Sequence, residues 1–156
     1  MGRYIEDFTP GEVYRSPGRT ISDADLMQFT GLSWDTNPAH TDEEFCKTSP
    51  FGTRIAHGAL TLSYATGLLA RSGWFDETVI AFLNIEMWEF KGPVKVGDTI
   101  RLTATVLEAR RSRSKPDRGT WKADISVANQ RSEVVQRGVF TMLFHARPAS
   151  DPPAGP

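Results

Sequence analysis

A carboxylate and an imidazole able to share a proton stand close together in Trp34-Asp35-Thr36-Asn37-Pro38-Ala39-His40. The Asn-Pro step between them favours a turn, so Asp35 and His40 can face one another round a single bend. Such a pair can hold a water, one group accepting its proton while the other donates or orients. General acid–base help of this kind is worth ~10²–10⁴-fold in rate. Further along, Ile55-Ala56-His57-Gly58-Ala59 leads into an apolar helical stretch. Gly58 then lies near a helix N-terminus, where free N–H groups and the positive end of the helix dipole gather. Glycine lets a ligand approach the backbone. A carbonyl oxygen placed there would have its developing charge stabilised, and losing one such donor costs about 2.7–4 kcal/mol. Each residue also has a plainer reading: an Asx-turn aspartate, a histidine near a helix start, a glycine that relieves crowding.

These groups need elements to hold them. A short strand is expected over Gly11 to Arg19. Ser22 with Asp25 approximates a capping box, so a helix from Asp23 to Thr30 should follow and stop at Gly31. Asp35 falls on the loop Ser33 to Pro38, and a second short helix is expected at Asp42 to Lys47. The segment His57 to Ser72 reads as a long helix with almost no polar face, hence central and buried. After Gly73 the texture becomes strand-like: Val79 to Phe90, Thr99 to Leu107, Thr120 to Gln130 and Glu133 to Phe144, the last two joined by a turn at Arg131-Ser132. Helices first and hairpin-linked strands later argue an α+β chain with an antiparallel sheet. Residues 1–148 read as one domain, and the proline-rich 149–156 as a disordered tail.

Composition excludes several classes of function. Eighteen basic and 19 acidic residues among 156 give a net charge of -1, which provides no general footing for nucleic acid or a membrane surface. Cys46 is the single cysteine, which precludes an intrachain disulfide or thiolate cluster and fits a reducing cytoplasm. The polar, acidic start is unlike a signal peptide. The most apolar stretch, Ala56 to Ala70, falls short of the ~20 residues a membrane span needs, so a soluble chain is expected. His40, His57 and Asp35 could imitate metal ligands, but no HExxH-like spacing supports one. Arg110, Arg111, Arg113, Lys115 and Arg118 form a basic run that reads either as a solvated hairpin loop or as a contact for phosphates.

The segment Phe29 to Asp42, FTGLSWDTNPAHTD, followed by Phe51-Gly52 and Ile55-Ala56-His57-Gly58, resembles the MaoC-like, R-specific enoyl-CoA hydratases. Phe90 to Ile100, FKGPVKVGDTI, resembles that family's strand-turn-strand segment. The resemblance covers roughly Tyr4 to Arg147. It implies a hotdog fold, an antiparallel sheet wrapped around a long central helix, as a homodimer or higher homo-oligomer with shared acyl-CoA tunnels. It further implies that Asp35 and His40 hold the catalytic water and that the Gly58 N–H polarises the thioester carbonyl. Thr66 stands where the family often has a serine near the Asp, Asn37 shapes the loop, and His57 orients the turn beside Gly58.

The implied reaction adds water to a trans-2-enoyl-CoA, giving the (R)-3-hydroxyacyl-CoA, or runs in reverse. It uses no metal and no cofactor, coenzyme A entering as part of the substrate, with an acyl-carrier protein as the other possible carrier. Asp35 is favoured as base and His40 as its partner, a division the sequence leaves open. Trp34, Ala59 and Thr66 depart from the family's common residues and put the usual straight-chain substrate in question. A hotdog thioesterase is one alternative. A non-catalytic acyl-CoA-binding subunit is another, against which the presence of both Asp35 and His40 argues.

Overall fold

The computed structural model describes residues 2–148. The tail expected at 149–156 lies outside the described residues. A 3-10 turn at Ile5–Asp7 leads into β1 (Val13–Arg15) and β2 (Arg19–Thr20), followed by α1 (Asp23–Ser33), α2 (Pro38–Thr41), α3 (Glu43–Lys47) and α4 (Gly58–Ala70). Four long strands follow among the described residues: β3 (Val79–Phe90), β4 (Thr99–Arg111), β5 (Arg118–Ala128) and β6 (Val134–His145).

Period-two patterning explains the sheet. In β4 Ile100, Leu102, Ala104 and Val106 are buried, and in β5 Trp121, Ala123, Ile125 and Val127, so each strand turns one face inward. Leu60, Ala65, Leu68 and Leu69 of α4 join the same core. Each fully buried leucine there contributes roughly 1.5–3 kcal/mol. The strands run in the order β1-β4-β5-β6-β3, all antiparallel, with β2 also on β4. β3 is an edge, separated by β6 and β5 from the β4 that follows it in sequence. The connection must therefore cross, and it does so past the start of α4, where the Ala56 N–H donates to the Val94 carbonyl.

Several expectations shift. The first strand is broken at Ser16-Pro17-Gly18 into two short pieces. Helix α1 runs through Gly31 to Ser33, and Trp34 ends it in the left-handed region at φ 62° with its N–H donating to the Thr30 carbonyl. One glycine costs a helix only about 1 kcal/mol, too little to stop one already capped. Both halves of the Ser22/Asp25 capping box form. The turn α2, which carries His40, adds a helical element after the loop, starting at Pro38 with Asn37 as its N-cap. β4 continues past Leu107 to Arg111 across a register shift between Val106 and Glu108.

Candidate active site

The loop between α1 and α2 is built by short polar bonds. The Asp35 N–H donates to Ser33 Oγ at 3.2 Å, and the Asn37 N–H to Asp35 Oδ1 at 3.3 Å. Asn37 Oδ1 accepts from the Ala39 N–H at 2.9 Å, capping α2 with Pro38 at its first position. Asn37 thus shapes the loop and also holds the Asp35 carboxylate.

His40 projects from α2 with Nδ1 2.7 Å from the Ile55 carbonyl oxygen. A carbonyl only accepts, so Nδ1 carries the hydrogen and the neutral ring presents an unprotonated Nε2. That Nε2 lies 3.8 Å from Asp35 Oδ2. Two acceptors at this separation can each take a hydrogen from one water at about 2.8 Å. Asp35 is half exposed, at 51%, while only 12% of the His40 side chain is open.

His57 is 2% exposed and packs beneath the pair. Its Nε2 donates to the Asp35 backbone carbonyl at 3.0 Å, and its ring stacks on His40 with centroids 3.7 Å apart and planes at 29°. Its Nδ1 has no hydrogen-bond partner among the described residues. Asp35, His40 and His57 bring ligand atoms within 4.8 Å of one another. Imidazole lone pairs lie in the ring plane, however, and these nearly parallel planes do not converge on a common ion. His57 instead fixes the loop through Asp35.

Beside His40 opens a cavity of about 430 Å³ with Phe51, Ile55, Phe90 and Val94 among its walls and Gly58, Thr61 and Gln136 at its polar positions. Gly58 is the first residue of α4, so its N–H has no acceptor within the helix. A Cβ on Gly58 would stand 2.6 Å from the Phe90 ring, which is why glycine is needed here. Thr66 is not among the lining residues, and its hydroxyl donates to the Ser63 carbonyl at 2.7 Å. At about 100° per residue it faces away from Thr61, the α4 hydroxyl that does line the cavity. Trp34 is 89% exposed and does not line the cavity.

The sequence gives Thr61 and Gln136 no part in the site, and places Phe90 only at the head of the strand-turn-strand segment. For Gln136 there was a signal: an amide on the inward face of β6, in phase with Gly138, Phe140 and Met142. The basic run sits at the far end of the sheet. Arg118 is nine residues along β5 from Val127, the partner of Gln136, or about 30 Å at strand rise. Arg110, Arg111 and Arg118 are paired with Glu108, Glu6 and Asp117. Cys46 is buried, and that burial, with the Glu43 and Asp42 charges, pushes its thiol up and away from nucleophilic use.

Helix α4 is not buried all round as its apolar sequence suggests: Leu60, Ala65, Leu68 and Leu69 pack into the core, while the small residues Ala59, Ser63, Gly67 and Ala70 leave one face exposed. An antiparallel sheet packed on this helix, with an Asp–His pair near the helix start beside an apolar cavity, defines a hotdog-fold hydratase or dehydratase. A Mycobacterium tuberculosis protein described as a double hotdog superposes at TM-score 0.84 and 22% identity, over 97% of this chain and 46% of that one. The MaoC-like dehydratase of Rhodospirillum rubrum superposes at TM-score 0.84 and 32% identity, over 94% of this chain and 99% of that one. An (R)-specific enoyl-CoA hydratase from Rhodospirillum rubrum is 40% identical over 103 residues, 66% of this chain and 69% of that protein. The MaoC like domain model matches residues 7–128, and the chain belongs to that family.

Proposed function

We propose that the protein adds water across a trans-2-enoyl-CoA to give the (R)-3-hydroxyacyl-CoA, or catalyses the reverse dehydration. The observation that carries this reading is the His40 ring, held through Nδ1 by the Ile55 carbonyl at 2.7 Å so that its Nε2 faces Asp35 Oδ2 at 3.8 Å on the flank of an apolar cavity. A water there gives one hydrogen to each acceptor, which aims its lone pair at the substrate. Its oxygen bonds to C3 as the C2=C3 π pair moves toward the thioester oxygen, where the Gly58 N–H meets the developing charge. Asp35 takes the water's proton with His40 as its partner, and the pair returns a proton to C2, so the net change is one water added. No cofactor takes part, and coenzyme A is the substrate's handle. The (R) configuration is proposed from the relative named above.

The acyl chain occupies the cavity, and the CoA phosphates leave past Lys91. There a second cleft, sharing Lys91, Gly92 and Pro93 with the first, adds Lys95 and Arg131. The protein works as a homodimer joined along the β3 edge.

A panel of trans-2-enoyl-CoAs, followed by conjugated-thioester absorbance and free thiol together, tests the reading. Absorbance loss without thiol is expected. Thiol release would make the protein a thioesterase, and binding with neither signal a non-catalytic acyl-CoA-binding subunit.

A further inference from the structure

We infer that Trp88 and Gln136 are positioning residues that hold Gly58, and through it the thioester, in register with the Asp35–His40 pair. The inference rests on the hydratase reading for its chemistry, and its geometry stands apart from it.

The chain of contacts begins at the sheet edge. Pairing of β3 with β6 passes from Glu86↔Val139 to Glu89↔Arg137, so Met87 and Trp88 together oppose Gly138. Met87 takes φ 51° and points out, 85% exposed. Such a bulge re-aims the side chain beside it. Trp88 lies over Gly138, where a Cβ would stand 2.5 Å from the indole, and stacks on Phe140 with centroids 5.2 Å apart. Any side chain at 138 would evict the ring.

Indole nitrogen can only donate, and it donates to Gln136 Oε1 at 3.2 Å. Gln136 is 2% exposed, and its Nε2 donates to the Gly58 carbonyl at 2.9 Å. One donor-only and one acceptor-only partner fix which way the amide points. Gly58 is thereby gripped from two sides, by the Gln136 amide at its carbonyl and the Phe90 ring at its Cα. A free helix end frays; this one is tied to β6. The Gly58 N–H is then aimed before substrate arrives, as a preorganised oxyanion donor must be.

The test uses Gln136→Met, which keeps the shape and removes both bonds, and Trp88→Phe, which keeps a ring on Phe140 and removes only the N–H. Turnover of trans-2-butenoyl-CoA is read beside the infrared carbonyl stretch of bound, unreactive ¹³C=O butanoyl-CoA. A misplaced donor is expected to lower kcat by up to about 10²-fold with KM little changed. The bound carbonyl stretch should move back toward its value in water, further in Gln136→Met than in Trp88→Phe. If Gln136→Met does not fold, Trp88→Phe decides alone. A wild-type stretch and kcat in the folded variants, or loss of thermal stability with the stretch unmoved, overturns the inference. Because the infrared arm needs no turnover, a wild type that hydrates nothing would sink the proposed function while leaving the positioning of the thioester separately measured.

Discussion

His40 owes its chemistry to one backbone carbonyl. With Nδ1–H held by Ile55, Nε2 must act toward the water, and Asp35 holds the other side. His40→Gln and Asp35→Asn are each expected to lower kcat by ~10²–10⁴-fold while circular dichroism and elution volume stay as in the wild type. Near-normal turnover in both would end the proposed mechanism. Gly58 is constrained for a different reason, because the Phe90 ring occupies the space of a Cβ. Gly58→Ala should therefore cut turnover, and adding Phe90→Ala should recover part of the loss. Steady-state kinetics of the single and double variants would show the coupling, and its absence would assign the glycine another role.

At the scale of elements, α1 is pinned where it begins. Burial pushes the Asp25 carboxyl up, but hydrogen bonds from Tyr64 and Ser22 and the Arg19 charge outweigh it and hold it below its ordinary 3.8. A carboxyl depressed in the folded state adds stability above its unfolded value, and that stability is lost as pH falls through the folded one. Asp25→Asn should therefore destabilise the protein at pH 7, by about 1 kcal/mol or more, and by clearly less at strongly acid pH. Urea denaturation of both proteins across that range checks it; an equal difference at every pH would contradict the assignment. Since α1 leads directly into the Asp35 loop, its N-cap helps to fix where the carboxylate stands.

For the whole molecule, the β3 edge and the charge map each make a prediction. Leu83, Met87 and Phe90 are exposed along a twelve-residue edge strand, an arrangement that invites pairing. Leu83→Lys with Met87→Lys is expected to convert a dimer to a monomer in sedimentation velocity. An unchanged mass would place the interface elsewhere. The basic hairpin lies too far along the sheet to reach substrate in the same chain. Arg113→Glu should thus leave KM for an acyl-CoA unaltered and Lys91→Glu should raise it, with the reverse order overturning the proposed path for the phosphates.

Whatever depends on near neighbours or on period was legible in the residues alone. The Asp35–His40 spacing round an Asn-Pro turn, the Ser22 cap, the apolar α4 and the alternating strands are such features, each a property of a few consecutive residues. The α+β class followed from their order, and the resemblance to the MaoC-like family added the hotdog arrangement. Tertiary structure alone decided that Ile55 sets the His40 tautomer, that His57 stacks beneath it, and that Thr61 rather than Thr66 lines the cavity. It alone brought Gln136 to Gly58 across 78 residues of chain. Contacts of that kind depend on strand register, and here on a bulge that admits one extra residue opposite Gly138. No local pattern encodes such a shift, because register is settled only when both faces of the sheet find their partners.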